Sequence, residues 1–204
     1  MNVSDLLSNL DPRALLQAGG LFGATFIIFA ETGLFVGFFF PGDSLLFTAG
    51  FLASQNFLDI RLLLPLLFFA AVAGNLTGYA FGKDVGPKLF SREDSIFFHK
   101  KHVEKTKLFF EKHGAKTIFF ARFFPIIRTF TPILAGVGGM PYRQFVFHTV
   151  CGGFVWTVGL TVLGYVLGTA IPDIDRYLLP IIAGIVIVSL LPGIVHLLLE
   201  KMKK

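Results

Sequence analysis

The chain alternates long apolar stretches with short polar links. Three stretches are continuous and reach the roughly 20 apolar residues that cross the hydrocarbon core of a bilayer; they occupy residues 62–82, 145–171 and 178–199. Two further apolar stretches, residues 21–53 and 117–140, are interrupted by charged residues, proline and glycine. This pattern predicts an all-α integral membrane protein that contains continuous spanning helices and broken ones.

Composition agrees with a membrane protein. Hydrophobic residues make up 54% of the 204 residues and the mean hydropathy is +0.72, which is too apolar for an ordinary soluble domain. The single cysteine, Cys151, excludes an internal disulfide. Most lysines lie in one polar connector and at the C-terminus, where membrane topology accounts for the net charge of +5. The charge therefore predicts no nucleic-acid partner.

The first interrupted stretch, residues 21–53, carries two acids and a turn. Pro41 and Gly42 form a turn signal within apolar sequence, so we expect two half-helices that enter and leave the membrane on one side. Asp43 follows the turn, and two interpretations stay open: an N-cap of the second half-helix or a functional charge. Glu31 lies inside apolar sequence and needs a partner or a proton.

The second interrupted stretch, residues 117–140, carries two arginines and two prolines. A charge at the centre of a spanning helix costs about 2.5–3.5 kcal/mol, and each proline removes a helical hydrogen bond. We therefore predict a second re-entrant hairpin, broken at Pro125 and Pro132. On a straight helix Arg122 and Arg128 would point about 240° apart, so only a break between them lets both side chains reach one cavity.

The two halves of the chain repeat each other. A Gly-Tyr-x-x-Gly word at residues 78–82 recurs at 164–168, and an Ala-Gly pair at 49–50 recurs at 135–136 with the same offset. Each half is thus a broken hairpin followed by a transmembrane helix, and we predict two inverted repeats plus the C-terminal transmembrane helix. Glycines at four-residue spacing, with Gly74 as the first, predict close approach of another helix.

The polar links set the expected topology. Residues 1–20 form an amphipathic N-terminal segment, and residues 91–113 form an amphipathic helix on the membrane surface, its lysines facing anionic headgroups; a solvated connector that only sets topology is the alternative. The positive-inside rule puts this connector and the C-terminus on the cytoplasmic side and the N-terminus on the opposite side. The histidines of the connector, His99, His102 and His113, are loosely spaced, and we expect solvated surface histidines rather than metal ligands.

Four ionisable residues remain inside membrane-depth sequence: Glu31, Asp43, Arg122 and Arg128. Their formal charges cancel, and facing hairpins would pair them and lower the free energy of burial; a purely structural ion-pair cluster is the alternative. Arginine prefers bidentate carboxylate or phosphate partners. We therefore expect Arg122 and Arg128 to bind a phosphate headgroup whose tail stays in lipid, with Glu31 and Asp43 as charge partners or proton carriers.

Several short sequence motifs, which follow one another in a fixed order, resemble those of a known family. They are Glu31 with Pro-Gly-Asp-Ser at 41–44, Gly-Asn-x-x-Gly-Tyr at 74–79, Arg-Phe-x-Pro-x-x-Arg at 122–128, and Gly152 to Trp156. Over nearly its whole length the chain resembles the DedA family of bacterial membrane proteins, also called SNARE-associated or VTT-domain proteins.

The resemblance implies lipid transport. Bacterial members recycle undecaprenyl phosphate across the cytoplasmic membrane, and eukaryotic relatives scramble phospholipids. It also implies that the family's essential acids and arginines fall on Glu31, Asp43, Arg122 and Arg128. One departure is Thr149, where the family commonly has asparagine; we expect a threonine hydroxyl there still to hydrogen-bond across helices.

The expected function is a flippase for a phosphate-bearing lipid, undecaprenyl phosphate foremost, in a multi-pass protein of the bacterial cytoplasmic membrane. Proton coupling and homo-oligomerisation stay open, and the alternative is a proton-coupled transporter of small ions or drugs. We expect no cofactor, no metal and no enzymatic activity, because a phosphatase needs a nucleophile or a metal cluster. The histidines within spans, His148 and His196, do not adjoin a matching arginine motif. An assembly factor without transport is a further alternative.

Overall fold

A computed structural model describes residues 12–34, 42–90, 108, 110, 114–171, 180–181 and 183–184. Within these ranges it contains helices and no strand, so the all-α prediction is confirmed for this part of the chain. The helices with defined bounds are α1 (Pro12–Gly33), α2 (Gly42–Ser54), α3 (Ile60–Phe90), α4 (Lys116–Ala121), α5 (Pro125–Val137) and α6 (Tyr142–Ala170).

Two of these helices are long and apolar enough to cross a membrane. They are α3, over Ile60–Val85, and α6, over Tyr142–Ala170. In the most apolar window of each, 33% of the residues are buried inside the protein, and Phe69 and Phe154 are 64% and 56% exposed. Such outward apolar surface suits contact with lipid. The predicted span 178–199, the surface helix 91–113 and the first eleven residues lie largely outside the described part of the chain.

The helix α1 is kinked at Gly20, whose backbone angles are φ 52° and ψ −145°. This left-handed φ favours glycine, which has no Cβ to clash with the backbone. After the kink, α1 packs along α3. Gly74 of α3 lies so close to α1 that a Cβ built on it would come 2.6 Å from the Phe29 carbonyl oxygen. The predicted close approach at the glycine spacing of α3 is therefore confirmed.

The short helix α2 packs most extensively against α6, which belongs to the other half of the chain. A Cβ on Gly50 would overlap the backbone of Thr161, and one on Gly164 would overlap the Phe47 carbonyl oxygen. The two backbones therefore touch, and eleven of the thirteen residues of α2 are buried. This helix is enclosed by protein on all sides.

The short helix α5 makes the matching contact with α3. A Cβ on Gly136 would overlap the Tyr79 carbonyl oxygen, and one on Gly82 would overlap the backbone of Ile133. The Ala-Gly helix of each half thus packs on the Gly-Tyr-x-x-Gly helix of the other half. The two contacts differ in register by one helical turn. Ile133 packs on Gly82, the second glycine of the Gly-Tyr-x-x-Gly motif in α3, whereas Phe47 packs on Gly164, the first glycine of the motif in α6.

Two hydrophobic clusters hold this arrangement. The larger joins α1, α2, α3 and α6 and includes Ile28, Phe47, Leu67 and Trp156. The smaller surrounds Tyr79, whose ring stacks on Phe145 with centroids 4.5 Å apart and whose hydroxyl donates to the Met140 carbonyl oxygen at 2.6 Å. Tyr79 thereby ties α3 to the turn between α5 and α6.

The second interrupted stretch has one break, not two. Residues 122–124 separate α4 from α5, and Pro125 begins α5, as expected for a proline that lacks a backbone donor. The predicted break at Pro132 is wrong, because α5 continues through it to Val137. Proline removes one helical hydrogen bond, and tertiary packing compensates: a Cβ built on Gly78 would lie 3.2 Å from Pro132 Cβ, so α3 has no side chain where the ring packs.

We predict that Gly164→Ala lowers the free energy of unfolding by about 1–3 kcal/mol, because the new methyl group overpacks the α2–α6 contact. Gly159→Ala is the matched control on the same helix: a Cβ there meets nothing within 4 Å, and alanine raises helix propensity by up to about 1 kcal/mol. Unfolding of the purified variants in detergent measures both. Equal stability of the two variants would show that the backbones do not touch at Gly164.

Candidate functional site

The four predicted ionisable residues lie at helix ends around the two interruptions. Glu31 is in the last turn of α1, and Asp43 is in the first turn of α2. Arg122 is the C-terminal cap of α4, and Arg128 is in the first turn of α5. Glu31, Arg122 and Arg128 are at most 3% exposed, and the Asp43 side chain is 15% exposed. The fold therefore buries four formal charges in one region.

Arg128 joins the two interrupted stretches. Its Nη2 donates to Glu31 Oε1, and its Nη1 donates to Asp43 Oδ1 at 2.6 Å. The predicted pairing of acids with a base from the facing stretch is thus observed at Arg128. The same Nη1 lies 3.4 Å from the Arg122 carbonyl oxygen, which places a positive charge at the C-terminal end of α4, where helix carbonyls favour it.

Gly42 makes this cluster possible. A Cβ built on Gly42 would overlap the carboxylate of Glu31, so a larger residue at the start of α2 would force that carboxylate to move. The sequence predicted Gly42 as a turn residue; the structure adds that its missing side chain leaves space for Glu31. Pro41, the other predicted break of this stretch, lies outside the described residues.

Trp156 of α6 completes the cluster. Its indole Nε1 donates to Asp43 Oδ1 at 2.7 Å, and Arg128 Cζ lies 4.2 Å from the ring centroid, within cation–π distance. Trp156 belongs to the family pattern in the sequence, which predicts no role for it. A tryptophan in the middle of a spanning helix indicates a polar partner nearby, because a buried indole N–H generally needs a hydrogen-bond acceptor.

Arg122 differs from Arg128 in its surroundings. Its side chain lies along α6, where a Cβ on Gly152 would come 3.0 Å from Arg122 Cδ and one on Gly153 would come 3.4 Å from Nη1. None of its three guanidinium nitrogens has a hydrogen-bond partner within the described part of the chain. The expected pairing of all four charges is therefore incomplete, because the two acids both bind Arg128.

Buried polar atoms of other residues also lack a hydrogen-bond partner in the described part of the chain. Glu31 Oε2 and the Thr149 hydroxyl have no hydrogen-bond partner among the described residues. The expected hydrogen bond from Thr149 to another helix is thus absent from this part of the structure. Thr149 is fully buried and lies one turn before Gly152 on the buried face of α6, so the α6 face beside Arg122 is polar as well as small.

This arrangement can bind an anion. A buried guanidinium without partners is unfavourable in the protein interior, and native structures have few such groups. Its planar set of donors matches the oxygens of a phosphate or a carboxylate. In the ranges that the structure describes, no three potential His, Cys, Asp or Glu metal ligands come together.

The fold and this buried charge cluster define an α-helical membrane protein, and comparison with known proteins gives the family. The model of the VTT domain matches residues 40–166. The chain is 46% identical to "Protein DedA" of Escherichia coli (strain K12) over 177 residues, covering 86% of this chain and 80% of that protein. It therefore belongs to the DedA family of membrane proteins.

Other relatives are also membrane proteins. The chain is 44% identical over 192 residues to an uncharacterized membrane protein of Mycobacterium leprae (strain TN), covering 91% of this chain and 86% of the relative. It is 32% identical over 150 residues to "Inner membrane protein YghB" of Escherichia coli (strain K12), covering 74% and 68%. No solved structure matches the chain.

We predict that Arg128→Met lowers the free energy of unfolding by about 3–5 kcal/mol, because two buried carboxylates lose their shared cation. Removing the charges together, in Glu31→Gln/Asp43→Asn/Arg128→Met, recovers much of that loss. Arg143→Met, at an exposed position of α6, changes stability by less than about 0.5 kcal/mol. Unfolding in detergent gives all three values, and wild-type stability of the single variant would contradict the pairing.

Proposed function

We propose that this protein carries a phosphate-bearing lipid across the bacterial cytoplasmic membrane, with undecaprenyl phosphate as the foremost substrate. One observation carries the proposal: the Arg122 guanidinium is 2% exposed and its three nitrogens have no hydrogen-bond partner within the described ranges. Arg128 is paired with both acids, so Arg122 supplies the unpaired guanidinium for the headgroup.

The surroundings of Arg122 favour a lipid over a soluble phosphate. While the guanidinium is buried, its neighbours Phe120, Phe123 and Ile127 are 60%, 44% and 49% exposed. The segment therefore presents apolar surface to the outside and charge to the inside. A lipid meets both demands, because its headgroup can reach Arg122 while its prenyl or acyl tail stays among the exposed apolar side chains.

We further propose that the two interrupted stretches are re-entrant. The helices α2 and α5 have 13 residues each and are therefore about 20 Å long, which is shorter than the roughly 30 Å of the hydrocarbon core. A half-helix that ends near the midplane needs protein around its end, and the burial of α2 on all sides agrees with this. The charge cluster would then lie near the centre of the bilayer.

The reciprocal packing of α2 on α6 and of α5 on α3 supports inverted repeats. Two halves related by a two-fold axis in the membrane plane would exchange equivalent contacts in this way. With the positive-inside rule, this topology puts the connector and the C-terminus in the cytoplasm and the N-terminus outside. A cysteine added to either segment can be labelled with a membrane-impermeant reagent in intact and in permeabilised cells. Labelling only after permeabilisation places the segment in the cytoplasm, so this comparison tests the assignment.

A proton-coupled transporter of small ions or drugs is the second candidate. The buried Oε2 of Glu31, which has no partner among the described residues, favours it, because a bound proton would let that oxygen donate a hydrogen bond. In proteoliposomes this candidate predicts uptake driven by a pH gradient without any lipid phosphate. The lipid transporter predicts instead that a phosphate-bearing lipid is required.

We propose transport rather than enzymatic turnover. The purified protein should move the lipid phosphate between leaflets and leave its phosphate ester intact. Release of inorganic phosphate from the lipid by purified protein would instead support a membrane phosphatase.

We predict that Arg122→Lys slows translocation of undecaprenyl phosphate in proteoliposomes about ten-fold or more, although the charge is kept, because lysine lacks the bidentate fork. Leaflet exposure of a labelled lipid measures the rate, and undecaprenol, which lacks the phosphate, is the substrate control. Arg143→Lys, at an exposed position of α6, should transport like wild type. Wild-type rates for Arg122→Lys would count against headgroup binding at this residue.

A further inference from the structure

Trp156 contacts both an acid and a base that are themselves paired. Its indole N–H and Arg128 Nη1 donate to the same oxygen, Asp43 Oδ1, at 2.7 and 2.6 Å. The Arg128 guanidinium also lies over the indole ring, with Cζ 4.2 Å from the centroid. We call these three residues the latch. Trp156 and Arg128 are each 3% exposed and the Asp43 side chain is 15% exposed, so the latch is largely shielded from water.

The helix that carries Trp156 touches both interrupted stretches. α6 packs on α2, which contributes Asp43, and on α4, whose C-terminal cap is Arg122. Gly152 and Gly153, one turn before Trp156, leave room for the Arg122 side chain. A ligand bound at Arg122 would therefore lie beside the latch, and Arg128 Nη1 is already 3.4 Å from the Arg122 carbonyl oxygen.

We propose that Trp156 is a positioning residue that lets a lipid phosphate exchange with Asp43 on Arg128. This inference rests on the proposed function. When the phosphate takes the Arg128 Nη1 donor, the indole N–H still donates to Asp43 Oδ1 and holds the carboxylate in its position. Arg128 meanwhile keeps the aromatic face. Both charged groups thus stay in place during the exchange, and the latch can close again when the lipid leaves.

Trp156 also reports on the latch, because it is the only tryptophan in the chain. Full-length protein labelled with ¹⁵N-tryptophan in phosphatidylcholine nanodiscs should give one indole N–H signal. We expect Asp43→Asn to shift this signal, since the acceptor loses its charge. We expect farnesyl phosphate, a short polyprenyl phosphate, to shift the wild-type signal, and farnesol to leave it in place. If the indole signal is unchanged in folded Asp43→Asn, or in wild-type protein that is saturated with farnesyl phosphate, the latch is wrong.

Transport by Trp156→Phe tests the role directly, since phenylalanine keeps a ring face for Arg128 but has no N–H for Asp43. Loss of a hydrogen bond to a charged acceptor predicts translocation about ten-fold slower or more. Phe154→Leu, at an exposed position on the same helix, should transport like wild type. A wild-type rate for Trp156→Phe would refute the positioning role.

The two proposals fail in different ways. If wild-type protein moves no phosphate-bearing lipid, the proposed function is wrong, and the exchange step that rests on it is overturned with it. If wild type and Trp156→Phe transport equally, lipid transport stands and only the positioning role is lost. Where Trp156→Phe does not fold, the farnesyl phosphate titration of the wild-type indole signal decides.

Discussion

One ion-pair cluster organises this protein. The guanidinium of Arg128, in the second interrupted stretch, is bound by two carboxylates that lie on either side of the interruption in the first stretch. Glu31 ends α1, Asp43 begins α2, and Arg128 begins α5, so the cluster fixes three helix ends at one point. None of these charges would be stable alone in an apolar interior. The pairing therefore both permits the burial and determines how the two interrupted stretches face each other.

The cluster depends in turn on backbone contacts that only glycine allows. Gly42 leaves space for the Glu31 carboxylate, and Gly152 and Gly153 leave space for Arg122. Glycines along α3 and α6 bring the short helices α5 and α2 close enough to reach the site. Small residues are the usual means of bringing helices together where lipid surrounds them, because the hydrophobic effect does not distinguish lipid from another helix.

The two arginines have different surroundings as a consequence of this geometry. Arg128 has its charge offset by two acids, whereas Arg122 keeps a buried guanidinium with no partner in the described ranges. A symmetrical pairing, with one acid for each base, would have consumed both cations. Because both acids bind the same arginine, the nitrogens of the Arg122 guanidinium stay without a hydrogen-bond partner among the described residues, and the indole N–H of Trp156 donates to Asp43 beside Arg128.

The sequence by itself determined the class of the protein, since the length of continuous apolar stretches identifies spanning helices, and it identified the four charges, since charge within apolar sequence is conspicuous. The break at Pro125 follows from local backbone chemistry, and the close helix contacts of α3 follow from its four-residue glycine spacing, so both were predictable. Tertiary structure alone decided that both acids bind Arg128, that α5 continues through Pro132, and that Trp156 joins the cluster. The physical reason is that pairing and helix bending inside a protein depend on which side chains meet across helices distant in sequence, and one-dimensional spacing contains no such distances.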